Sequence, residues 1–199
     1  MSREKYTPME MDALREVANV GGGNAATAIS ILVNKTIHMD VPQLKILNYE
    51  EVYENIMGEE ELVMAGAMRI MGDGQGSFLF VVKCEDAGKI FEMMMPGINE
   101  MTSELAYSAL GEFVNILGSS YLNAVARLLD LTLISSVPAV TEDMFGAILS
   151  TSYIMSEQYD EQVMIIKNEF TYDDMKVDSS LYFIPRPGVL DQLFQKIGL

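Results

Sequence analysis

The chain has 199 residues, 49% of them apolar and 21% charged, which is enough for one globular unit with a sizeable core. Its 13 Lys and Arg stand against 29 Asp and Glu, a formal charge of −16. That balance argues against binding the nucleic-acid backbone or an anionic lipid surface, and the single cysteine, Cys84, excludes an internal disulfide or a cysteine-cluster metal site.

The first twelve residues include Arg3, Glu4, Lys5, Glu10 and Asp12 and contain no apolar signal core, so a cytoplasmic address is expected. A long helix is predicted over about Met9–Asn34, where Leu14, Val17, Ile29 and Leu32 recur at helical spacing. Val17–Asn34 lacks charge for 18 residues, yet Asn19, Asn24, Thr27, Ser30, Asn34 and three glycines inside it would be costly in hydrocarbon, so no membrane insertion is expected. A strand near Thr36–Leu47 and a short helix at Tyr49–Met57 follow. A hairpin turning at Gly72-Asp73-Gly74 comes next, and then a helix near Glu85–Met95.

The same order then begins again. A second long helix is predicted at about Glu104–Asp130, with Leu110, Phe113, Leu117 and Leu128 on one face and Thr102 or Ser103 as its cap. A strand at Thr132–Pro138, a short helix at Thr141–Leu149, a second hairpin and a helix near Gly188–Ile197 complete the pattern. Sliding the chain by 96 residues lays Asp12–Pro42 on Ser108–Pro138 with ten of 31 positions identical, where chance gives about two. The identities include Leu14/Leu110, Glu16/Glu112, Asn19/Asn115, Gly22/Gly118, Leu32/Leu128, Val41/Val137 and Pro42/Pro138. Ser77-Phe78-Leu79-Phe80 likewise meets Ser180-Leu181-Tyr182-Phe183. The chain reads as one α+β domain over 1–199, a tandem duplication of 9–97 and 103–199 with its junction near Gly97–Ser103. About three strands per half would form a central, largely antiparallel sheet about a pseudo-twofold axis, with both long helices on one face. Both copies of any helix-borne motif would then face the same way.

Little of the sequence offers catalytic chemistry. His38 is the only histidine and has no nucleophile signature near it. Cys84 has only Lys83 as a cationic neighbour, and a reactive thiol needs a lowered pKa. Met93-Met94-Met95 reads as core filler. Gly21-Gly22-Gly23-Asn24 matches no phosphate-loop spacing and points instead to close helix packing. What remains is Glu-x-x-Asn, present twice as Glu16/Asn19 and Glu112/Asn115, each pair on one helix face. Shared ancestry or a cap-like hydrogen bond inside the domain would explain it. So would a site, since an amide donates and accepts at once and can orient a water, while the carboxylate can pair with a cation on the molecule that carries a phosphate.

The stretch Ala13-Leu-Arg-Glu-Val-Ala-Asn-Val-Gly-Gly-Gly-Asn-Ala-Ala-Thr-Ala-Ile-Ser30 resembles the opening helix of the CheC family of chemotaxis phosphatases. Ala109-Leu-Gly-Glu-Phe-Val-Asn-Ile-Leu-Gly118 resembles its second motif helix, and Tyr182-Phe-Ile-Pro-Arg-Pro-Gly188 is similar to its last strand-to-helix passage. The resemblance implies dephosphorylation of CheY-P, the aspartyl-phosphorylated response regulator. Asn19 and Asn115 would orient the attacking water, and Glu16 and Glu112 would contact the regulator's active-site lysine. The Mg2+ would belong to the regulator, leaving this chain without a cofactor of its own. The resemblance also implies binding of CheD, a receptor-modifying deamidase, on the second-half short helix, with Asp143 as the candidate contact. A monomer is expected, placed near the flagellar switch or the receptor complex. Within the family, two motifs disfavour the single-motif, dimeric CheX branch, and an end at Leu199 just past the final helix is expected to disfavour the FliY-like switch proteins. A non-catalytic adaptor for CheD or the switch is the main alternative, and a small-molecule enzyme a remote one.

Overall fold

The computed structural model describes residues 6–40, 43–98, 102–155, 162–172 and 175–199. The first long helix, α1, spans Pro8–Val33. Thr7 Oγ1 accepts the Glu10 N–H at 3.2 Å, Glu10 Oε2 accepts the Thr7 N–H at 2.6 Å, and Pro8 sits where a missing N–H costs nothing. The second, α4, spans Ser103–Leu129, and Thr102 caps it through the Leu105 N–H. Each helix ends on a left-handed residue, Asn34 at φ 53° and Asp130 at φ 51°. These are the non-glycine types that tolerate that conformation best, and they occupy equivalent places in the two halves.

Among the described residues, eight strands form one sheet in which every ladder is antiparallel. The first half contributes β1 (His38–Met39), β2 (Gln43–Asn48), β3 (Leu62–Gly72) and β4 (Gly76–Lys83). The second contributes β5 (Leu133–Ser135), β6 (Ala139–Met144), β7 (Gln162–Tyr172) and β8 (Met175–Pro185). That is four strands per half rather than three, because each predicted leading strand divides in two. The hairpin strands lie in the order β7-β8-β4-β3, and the leading strands cross over to the opposite half: β1 and β2 pair with β7, while β5 and β6 pair with β3. At the centre β4 pairs with β8, with Leu79 opposite Tyr182. These two residues are equivalents in the duplication, so the pseudo-twofold axis passes between them. The register obeys it outward: Gln43↔Lys167 and Asn48↔Gln162 at one edge of the sheet match Ala139↔Ala67 and Met144↔Leu62 at the other.

Strand alternation splits the core into two layers. Met64, Met68, Phe78, Phe80, Ile166 and Leu181 face α1, α4 and two shorter helices, α3 (Cys84–Met94) and α6 (Val189–Lys196). Val63, Leu79, Val81, Ile165 and Tyr182 face α2 (Tyr49–Asn55) and α5 (Phe145–Met155). Both long helices therefore cover one face of the sheet, as expected. Leu14, Ile29, Leu110 and Leu117 are buried, but Leu32 and Leu128 are 40% and 46% exposed, while Val33 and Leu129 beside them still pack on the core.

One sequence expectation fails in the second half. The short helix placed at Thr141–Leu149 begins only at Phe145, and Thr141–Met144 complete the β6 ladder with β3. Asp143 consequently lies on an edge strand opposite Val63 rather than on a helix. Its carboxylate accepts the Met144 N–H at 2.8 Å. The pairing of Leu62 with Met144 takes up the backbone groups that a helix would have used. The junction expected near Gly97–Ser103 falls partly outside the described residues.

The glycine run works as a packing device at Gly21 and Gly22. A Cβ on Gly21 would stand 2.7 Å from the Tyr121 ring of α4, and one on Gly22 2.7 Å from the Met39 sulfur. Gly118, the mate of Gly22, is as tight against Met68. Gly23 has open space around it. Gly21→Ala should therefore destabilise the fold by about 1–3 kcal/mol, since the buried Tyr121 ring must shift to admit the Cβ. Gly23→Ala should stabilise it by up to about 1 kcal/mol through helix propensity. Urea denaturation of the two variants checks both signs.

Candidate functional site

The two Glu-x-x-Asn pairs sit in the first half of each long helix. Glu16, Asn19 and Glu112 are exposed and Asn115 is half-buried. Among the described residues, no hydrogen bond or ion pair engages any of these four side chains. Asn24, one turn further along α1, behaves differently: its amide donates to the Val20 carbonyl at 2.8 Å. The cap-like hydrogen bond that could have explained the motif is thus absent among the described residues, and each pair offers a carboxylate and an amide to an outside molecule.

The packing contacts fix where the pairs point. Gly21 against Tyr121 marks the side of α1 that meets α4, and Gly22 against Met39 marks the side that meets the sheet edge. At about 100° per residue, Asn19 stands roughly 160° around the helix from Gly21, facing away from α4. The twofold gives Asn115 the mirrored role, facing away from α1. On that side, Gly111 of α4 lies against Val140 of β6, where an added Cβ would be 3.6 Å from the Val140 methyl. The two pairs therefore share one face of the sheet but open on opposite flanks of the helix pair, whereas the sequence suggested they would point the same way. Each flank is bordered by the edge strands of its own half.

The halves are not identical. Ala25 of α1 corresponds to Tyr121 of α4, and Gly21 to Leu117, so the positions equivalent to the glycine–tyrosine contact hold a leucine and an alanine. Val17 corresponds to Phe113, which packs against Phe80 at 5.4 Å and Phe170 at 6.1 Å between ring centroids. On the Val17 side a cavity of about 60 Å³ remains, lined by Leu14, Val17, Phe78, Tyr121, Leu122 and Phe194 among others. Its apolar walls suit no phosphorylated or otherwise polar small substrate, which weakens the case for a small-molecule enzyme.

The other titratable groups remain outside this constellation. His38 is exposed on β1. Cys84 opens α3 half-buried, and burial, with Glu142 and Glu61 nearby, raises its thiol pKa, the opposite of what a nucleophile requires. Burial likewise raises the Tyr121 and Tyr182 phenols. Among the described residues no group of three or more His, Cys, Asp or Glu is arranged to hold a metal ion, and no helix is long and apolar enough to cross a membrane.

The CheC-like family profile matches residues 9–46 and 105–142, two stretches 96 residues apart that each contain one motif helix and the start of its edge strands. The chain is 32% identical over 197 residues to the CheY-P phosphatase CheC of Bacillus subtilis (strain 168), covering 95% of this chain and 94% of that protein. It is 26% identical over 141 residues to the flagellar motor switch phosphatase FliY of the same organism, a match spanning 69% of this chain and only 36% of that longer protein. Among solved structures, Thermotoga maritima FliY superposes with a TM-score of 0.80 at 20% identity, covering 96% of this chain and 97% of that one, a likeness of fold. With near-complete coverage by a 32% identical relative, and the family profile falling on both copies of its internal repeat, the chain belongs to the CheC-like family.

Proposed function

We propose that the protein is a phosphatase of the aspartyl-phosphorylated response regulator CheY-P, with Glu16/Asn19 and Glu112/Asn115 as two separate sites. The observation that carries the reading is the duplicated, outward-facing pair whose side chains are otherwise unengaged, in a chain related to a CheY-P phosphatase. The chemistry asks little of this chain. A water oxygen attacks phosphorus in line, the bond to the regulator's aspartyl oxygen breaks, and that carboxylate leaves with inorganic phosphate as the other product. An acyl phosphate passing through a loose transition state needs positioning and charge neutralisation rather than a strong base. The Asn amide accepts a hydrogen bond from the water with its oxygen and holds it on the attack line. The Glu carboxylate pairs with the regulator's lysine, so it anchors the complex without meeting the phosphate. The Mg2+ that the reaction uses is carried by the regulator.

Asn19→Ala alone, or Asn115→Ala alone, should leave partial activity, and the double variant should decay no faster than the regulator by itself. Losing a positioning group of this kind costs roughly 10²-fold or more at the affected site. Stability should shift by only about 0.5 kcal/mol, because neither amide is fully buried and neither makes an internal bond. Phosphate release from CheY-P, with circular dichroism as a control, checks this. Full activity in the double variant would remove the Glu-x-x-Asn assignment. No acceleration by the wild-type chain, even with CheD present, would leave a binding role alone.

CheD binding is the second part of the proposal. Asp143 is exposed on β6 beside the start of α5, and Met144 next to it is 51% exposed, a combination suited to the rim of an interface. Asp143→Lys should weaken CheD binding through charge reversal while unstimulated phosphatase activity stays intact. Unchanged affinity in a calorimetric titration would take Asp143 out of that interface.

A further inference from the structure

The edge strand beside Asn115 contains a feature that the motif does not account for. Between β5 and β6 the pairing with β3 changes register: Ser135 faces Ile70, and Ala139, four residues on, faces Ala67, three residues back. One extra residue is therefore accommodated at Ser136-Val137-Pro138, which makes it a β-bulge. Bulges bend the strand and re-aim a side chain, and they are over-represented next to active sites. This one is pinned. The Ser136 N–H donates to the Arg69 carbonyl at 2.9 Å, the Arg69 N–H donates to Ser136 Oγ at 2.9 Å, and the Ser136 hydroxyl donates to the Val137 carbonyl at 3.0 Å. The result is Val137 held 84% exposed, the most exposed large hydrophobic among the described residues.

The bulge lies next to Asn115. Val114 of α4 sits over Gly66 and Gly118 sits over Met68, so α4 runs along β3 in the same direction. β6 runs the opposite way. Gly111 meets Val140. One helical turn on from Gly111 is Asn115, a rise of about 6 Å. The same distance along the edge strand, at about 3.3 Å per residue, leads from Val140 back to Pro138 and the exposed Val137. The first half shows the same one-residue shift in register, Met39 facing Phe170 and Gln43 facing Lys167. Val137 turned to water gains nothing for the fold, and yet the sequence keeps Val-Pro at the corresponding positions 41 and 42, which lie outside the described residues.

We infer that Val137 is a docking contact for the phosphorylated regulator at the Glu112/Asn115 site, seated against an apolar patch that borders the regulator's acyl phosphate. The inference rests on the phosphatase reading above. The carboxylate supplies attraction to a cation, the amide acts on the water, and the apolar knob beside them supplies desolvated contact that fixes the approach angle. Val137 is a positioning residue, so it should act on binding rather than on the chemical step.

The test uses Asn19→Ala as background, in which only the second site works. Adding Val137→Asn should raise KM for CheY-P roughly five- to tenfold with kcat unchanged, as loss of a central apolar contact does, and Val137→Ile should restore it. In the Asn115→Ala background, where only the first site works, Val137→Asn should change nothing. An unchanged KM in the Asn19→Ala background would overturn the inference, as would a fall in kcat or an equal effect in both backgrounds. So would an Asn19→Ala protein that neither hydrolyses CheY-P nor binds beryllofluoride-loaded regulator, because there would then be no second-site docking to assist. Failure of the phosphatase reading itself is seen separately, as no acceleration of CheY-P decay by the wild-type chain.

Discussion

The pairing of β4 with β8, with Leu79 opposite Tyr182, holds the rest of the molecule in place. Both strands are almost wholly buried, covered by α1 and α4 on one side and by α2 and α5 on the other. The leading strands then exchange, so that neither half possesses a complete sheet of its own. Each hairpin needs the other half's edge strand to satisfy its outer row of backbone groups. The two motif helices are thereby fixed relative to one another as parts of one interlocked sheet. Their side-by-side packing at Gly21 and Tyr121 is what turns Asn19 and Asn115 toward opposite flanks.

Much of this was legible in the amino-acid order. The 96-residue offset, the long helices to within a residue of their ends, the Gly72-Asp73-Gly74 turn and the two motif pairs follow from identities, helical spacing and turn chemistry. The strand exchange was not, because a local pattern shows that a segment is a strand but not which distant hairpin will accept it. The start of α5 is not legible for a related reason. Thr141-Glu142-Asp143-Met144 has no periodicity strong enough to choose between helix and strand, and the β3 ladder decides it. Leu32 and Leu128 fit the helical stripe yet are 40% and 46% exposed, because spacing alone does not say where along a helix the packing partners stop. The direction of each site depended on which helix side meets the other, and only the Gly21 contact reveals that.

Duplication has preserved the polar pairs while the packing beneath them drifted. Val17 stands where the other half has Phe113, and a cavity stays open on one side where an aromatic cluster fills the other. Asn19 is exposed and Asn115 half-buried. Such differences alter how closely each flank fits a partner, so two sites of the same chemistry need not share one affinity. A surface of charge −16 also narrows the choice of partner. A regulator whose docking face presents lysine and metal charge is attracted at long range, and the attraction weakens as salt screens it.

If the duplicated motif makes two independent docking sites on opposite flanks of one chain, two regulator molecules bind it at once. In a titration of the protein with beryllofluoride-loaded regulator, followed by analytical ultracentrifugation, saturation is expected at two regulator molecules per chain, and at one when either glutamate, Glu16 or Glu112, is changed to lysine. A saturating ratio of one for the wild-type chain, unaltered by one of the two substitutions, would contradict it.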